Sequence, residues 1–106
     1  MRSTFPQVIY DNEDLLKETI IKFGLEAQLG MVQEECAELI QAINKLRRKN
    51  LIAGNVIKYG PEYNNFVTEL IQVKLMIAQI ESVIPAYNLC AIEQENIDNL
   101  KTLVHG

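Results

Sequence analysis

Two stretches of this chain repeat apolar residues in alternating steps of four and three, a spacing that admits little besides helices packed lengthwise on one another. The first stretch reads Leu25, Leu29, Val32, Cys36, Leu39, Ile43 and Leu46; the second reads Phe66, Leu70, Val73, Ile77, Ile80 and Ile84. A half-buried strand would instead alternate by two. The pattern predicts an all-α fold with two long antiparallel helices. Ile71, Leu75, Met76 and Val83 widen the second apolar surface beyond what a single neighbour covers. That width predicts a four-helix, bundle-like arrangement and a homodimer or homotetramer.

Local signals divide the chain. Residues 1–10 read as an extended arm, because Pro6 and the run Val8, Ile9, Tyr10 suit no helix start. Asp11 or Asn12 is placed to cap a first helix whose opening turn holds Glu13 and Asp14, and Gly24 ends or bends it. A long helix follows over 25–49. Its last turns carry Lys45, Arg47, Arg48 and Lys49, which either offset the negative helix end or hold phosphate. Residues 50–60 form the main inter-helix loop. Its Gly54-Asn55 turn is compatible with a brief hairpin, although a docked irregular loop is the preferred reading. Gly60-Pro61-Glu62 opens the third helix and Pro85 stops or kinks it. A last helix is expected over 88–104, with Leu89, Ile92, Ile97, Leu100 and Val104 inward.

The 106 residues form one domain by the usual size prior, with no internal repeat. A net charge of −4 argues against a nucleic-acid binder, which would show a basic surface. An acidic protein still takes phosphates when a divalent cation lies between them, so nucleotides remain open. No apolar run reaches the length of a membrane span, and the start MRSTFPQVIYDNEDLL lacks the apolar block of a signal peptide. Cys36 and Cys90 have no metal-type spacing. Together these features lead us to expect a reduced, cytoplasmic setting, with a Cys36–Cys90 disulfide as the alternative.

Acidic residues then stand out. Glu35 and Glu38 each precede an apolar seam residue and lie three apart, as neighbours at the edge of the buried stripe. Glu69 and Gln72 hold the same offset on the third helix. Antiparallel packing would bring these four oxygen-bearing side chains to one spot, where a hard, oxygen-loving cation such as Mg²⁺ or Mn²⁺ would offset their charge.

At these residues the chain resembles the MazG-like, all-α nucleoside triphosphate pyrophosphohydrolases, the group that includes dimeric dUTPases and dCTP pyrophosphatases. Their hallmark is EExxE on one helix and ExxD on a following one. The first half is present as Glu34-Glu35-Cys36-Ala37-Glu38 within QLGMVQEECAELIQAINKLRR, a string similar to short phage-type members; the second half reads TELIQV. The resemblance covers roughly 25–84 and implies a Mg²⁺ site made by Glu35, Glu38, Glu69 and Gln72. It implies Glu34 or Glu38 as the group that orients an attacking water, and a nucleoside triphosphate as substrate. Lys45, Arg47 and Arg48 are the candidate phosphate contacts. Tyr63, with Tyr59, either stacks on a base or packs at the helix junction.

The chain departs from the family pattern in three places. Gln72 stands where the motif has Asp, Lys74 where relatives are commonly acidic, and Glu95-Asn96-Ile97-Asp98-Asn99-Leu100 where they often carry a basic pair. Two further readings follow: a MazG-fold binding or assembly module without catalysis, and an unrelated bundle whose acidic edge docks a partner.

Overall fold

The computed structural model describes residues 5–106. Helix accounts for 77% of the described residues. A 3₁₀ turn (Tyr10–Asn12) leads into α1 (Glu13–Phe23), α2 (Leu25–Arg48), a small hairpin of β1 (Ile52–Ala53) and β2 (Val56–Ile57), α3 (Pro61–Glu81) and α4 (Ala86–His105). Among the described residues, no helix is long and apolar enough to cross a membrane.

Local chemistry explains the breaks. Gly24 adopts φ 90°, a left-handed value that strains any residue with a Cβ, and its N–H closes α1 on the Ile20 carbonyl. Asn50, at φ 55°, takes a left-handed φ just after α2, which Asn tolerates. Pro61 occupies the first turn of α3, whose free N–H positions cost it nothing. At the far end the Ser82 hydroxyl donates to the Gln79 carbonyl, and α3 stops before Pro85, which precedes α4.

Several expectations need correction. Residues 1–4 of the expected arm lie outside the described residues. The remainder turns into the 3₁₀ segment, docked by the Tyr10 hydroxyl donating to Glu81 at 2.9 Å. Asn12 does precede α1, but its side chain makes no cap; it donates backward to the Val8 carbonyl. The 50–60 loop is a true hairpin, with Ile52 paired to Ile57 and Ala53 to Val56. Gly54 supplies the positive φ of a two-residue turn.

The core lies between α2 and α3, with α1 against both. The two long helices run antiparallel, tied at one end by Lys49 to Glu62 at 2.8 Å and at the other by Gln28 to Gln79 at 2.6 Å. Their shared seam is offset from the one the apolar pattern suggested. On α2 the inward row is Gln28, Val32, Glu35, Leu39, Ala42 and Leu46, with Leu46 only 2% exposed. On α3 the row includes Phe66, Glu69, Val73 and Met76. Leu25, Leu29, Ile43, Leu70, Ile77 and Ile84 are exposed instead, because both helices carry a second apolar face next to the first.

The last helix also departs from expectation. α4 has no buried residue: Ile92, Ile97, Leu100 and Val104 all face outward. The chain is correspondingly extended, with a radius of gyration of 16.4 Å against about 13 Å for a compact domain of this size. Both cysteines are free.

The buried Gln28–Gln79 pair is flanked by apolar residues such as Val32 and Met76 and is joined by its own hydrogen bond. Truncating one partner strands the other amide, a loss of about 1–3 kcal/mol. We expect Gln28→Ala to lower the urea unfolding midpoint clearly. The double change to leucine at 28 and 79 should restore most of it, because neither position then buries an unmet polar group.

Candidate metal centre

The α2–α3 seam contains two polar layers, and they behave differently. In the first, Gln28 donates to Gln79, whose own amide reaches the Met76 sulfur at 3.7 Å. In the second, one carboxylate oxygen each from Glu35, Glu38 and Glu69 lie within 4.8 Å of one another. Glu35 and Glu38 arrive from adjacent turns of α2, and Glu69 comes from the facing turn of α3 because the helices run antiparallel. One oxygen of Glu35 and one of Glu69 are fully buried and accept no hydrogen bond. An unmet buried carboxylate oxygen is expensive, and a second carboxylate beside it makes matters worse.

The titration behaviour follows from this placement. Loss of water contact pushes the Glu35 carboxyl above the ordinary range, and the charges of Glu38 and Glu34 push it further; its contact with Glu69 acts the other way. Glu69 is also raised, first by loss of water and then by Glu38 and Glu35. Both shifts arise first from loss of water contact and only then from the neighbouring carboxylates. The donor set is three carboxylate oxygens with no nitrogen or sulfur among them. That chemistry fits a hard divalent cation such as Mg²⁺, Mn²⁺ or Ca²⁺ rather than zinc.

Beside the cluster runs an open groove of about 580 Å³. Glu38, Gln41, Ala42, Asn44, Lys45 and Arg48 line it from α2, and Asn65 and Glu69 face them from α3. It is therefore acidic at one end and basic at the other. Lys45 and Arg48 face the groove, whereas Arg47 is exposed and not among its walls. Tyr63 is half-buried and packs on Tyr59, with ring centroids 5.4 Å apart, away from the groove. Gln72 is exposed one turn beyond Glu69, Glu34 is exposed beside Glu35, and Lys74 is partly buried. Lys49, grouped by sequence with the other cations, is engaged by Glu62 and holds that carboxyl below its usual range.

The sequence reading left out Gln41, Asn44 and Asn65. Gln41 was signalled, since 38, 41, 45 and 48 recur at helical spacing on one face, whereas Asn44 and Asn65 stand outside that series. Comparison with protein-family profiles, curated proteins and solved structures finds no match to this chain. The fold and the site therefore define a class only: a helical protein with a carboxylate cluster in the seam of two antiparallel helices.

The raised carboxyls have a measurable consequence. Between the unfolded and the raised folded values, the native state binds more protons than the unfolded chain, so stability from Glu35 and Glu69 falls as pH rises through that interval. Glu62 has the opposite sign: its contribution is present above its unfolded value and is lost on acidification. In chelator-containing buffer, Glu69→Gln should therefore raise the thermal midpoint at pH 7 and flatten its rise toward pH 5. A variant less stable than wild type at pH 7 would contradict the assignment.

Proposed function

We propose that this protein is a MazG-like, Mg²⁺-dependent nucleoside triphosphate pyrophosphohydrolase, acting on an NTP or dNTP to give the monophosphate and pyrophosphate. The observation that carries the reading is the convergence of Glu35, Glu38 and Glu69 from two helices, with two buried oxygens left unmet. The groove beside them is open and carries Lys45 and Arg48, which suits an anionic substrate.

Glu35, Glu38 and Glu69 would hold the cation, with the exposed Gln72 one turn away as a neutral fourth donor. When bound, such a cation supplies positive charge to the phosphate oxygens. The chain's own residues do the rest. Glu38 is both a member of the cluster and exposed to the groove, so it can reach an entering water as well as the metal. Either Glu38 or the adjacent Glu34 orients that water and takes its proton. The water oxygen bonds to the α-phosphorus, and the bond from that phosphorus to the αβ-bridging oxygen breaks. The electron pair leaves with pyrophosphate.

The unburied α4 and the second apolar faces of α2 and α3 support a homodimer or homotetramer in which those faces close a multi-helix bundle. A second reading, a MazG-fold binding or assembly module without catalysis, is favoured by the neutral Gln72 and by Lys74 on the same helix.

A panel of dNTPs with Mg²⁺ or Mn²⁺, read as pyrophosphate release, decides between them. Turnover should appear with at least one nucleotide, and Glu38→Gln should lower it by about 10²-fold or more. No release from any nucleotide, with release appearing only in Gln72→Asp, would establish the inactive module instead. Sedimentation equilibrium should show a dimer or tetramer, and paired Ile97→Glu and Leu100→Glu changes should shift it toward monomer.

A further inference from the structure

The groove beside the carboxylates is lopsided, and the asymmetry bears on how a substrate lies in it. Ala42 is its single apolar wall residue; the other walls are carboxylates, amides and two cations. Its walls therefore offer no aromatic face on which a base could stack. Lys45 and Arg48 follow Glu38 by seven and ten residues, a rise of about 10 and 15 Å along the helix. Helical side chains lean toward the N-terminus, so both cations reach back over the groove toward the acidic cluster. Neither makes an ion pair among the described residues, although Lys45 acts on Glu62 at longer range. Elsewhere Lys17 and Lys49 are paired.

An anion in this position would lie near the C-terminal end of α2, whose dipole repels negative charge, although the N-terminal end of α3 lies at the same end of the pair and offsets this. Lys45 and Arg48 supply the formal positive charge of the groove walls, with the amides of Asn44 and Asn65 as further donors. α4, whose basic residues are Lys101 and His105, provides no wall.

We propose that the Lys45–Arg48 half of the groove seats the departing pyrophosphate. The substrate's phosphate chain then runs from the carboxylate cluster toward the end of α2, and its nucleoside lies on the other side of the cluster, outside the groove. As the bond between the α-phosphorus and the bridging oxygen breaks, the new charge on that oxygen develops beside Lys45 and Arg48. This inference rests on the hydrolase reading for the identity of the anion, but the seat itself can be tested separately.

Calorimetric titration of pyrophosphate in Mg²⁺ buffer tests it on the full chain. Lys45→Gln and Arg48→Gln should each weaken pyrophosphate binding roughly tenfold, and the double variant by more. A nucleoside monophosphate should bind all of these within about threefold of wild type, since it lacks the departing group. Lys101→Gln, which removes the same charge from α4, should leave pyrophosphate affinity unchanged. Lys45→Arg and Arg48→Lys should retain most of it, which separates charge at this place from a damaged fold. Unaltered pyrophosphate affinity in the double variant would overturn the proposal, as would equal losses for monophosphate and pyrophosphate. A wild type that releases no pyrophosphate from any nucleotide, yet loses pyrophosphate binding in the double variant, would defeat the hydrolase reading and leave the anion seat standing.

Discussion

Everything distinctive about this molecule follows from placing carboxylates inside a helix–helix seam. Glu35 and Glu69 occupy positions where α2 and α3 face each other, in rows otherwise filled by residues such as Leu39, Ala42, Leu46, Val73 and Met76. A leucine at either place would bury apolar surface, and a glutamine pair would satisfy itself as Gln28 and Gln79 do. Carboxylates do neither. Their unmet oxygens and raised titration make the seam less stable than it needs to be. Groups that weaken a fold in this way are candidates for a functional role, and an oxygen-only donor set is of the kind that suits a hard cation.

The rest of the chain serves to hold those carboxylates in register. The Gln28–Gln79 bond pins one end of the helix pair and the Lys49–Glu62 bridge pins the other. The hairpin returns the chain from the end of α2 to the start of α3 within a short span, with the Lys58 N–H donating to the Leu51 carbonyl at its base. A one-turn slip would separate Glu69 from its partners, so both pins bear on the site although neither touches it. The outer apolar faces and α4 have no such partner within the chain. Their exposure agrees with the large radius of gyration.

Much of this was readable from residues alone. The boundaries at Gly24 and Pro61 were legible because caps and breakers act locally. The pairing of Glu35, Glu38 and Glu69 was legible because antiparallel neighbours with matched offsets must meet. The seam itself was misread by about one position. Apolar periodicity identifies a face, but α2 and α3 each carry two, and Leu25, Leu29 and Ile43 belong to the outer one. Glu35 was thus placed at the edge of the stripe when it lies within it. For α4, periodicity shows an apolar side without showing whether this chain or another covers it. The Gly54-Asn55 hairpin was signalled by its two-residue turn and set aside for an irregular loop.

The central claim, that acidic side chains from two helices grip one cation, is tested most directly by residue-resolved paramagnetic broadening. Mn²⁺ added at low ratio to isotope-labelled protein should first erase the amide signals around Glu35, Glu38 and Glu69 together. Glu35→Gln should then weaken the effect at residue 69 as well as on its own helix, because both depend on one shared ion. Broadening that begins instead around Glu93, Glu95 and Asp98 of α4, or that leaves the turn of α3 at Glu69 untouched, would contradict the account.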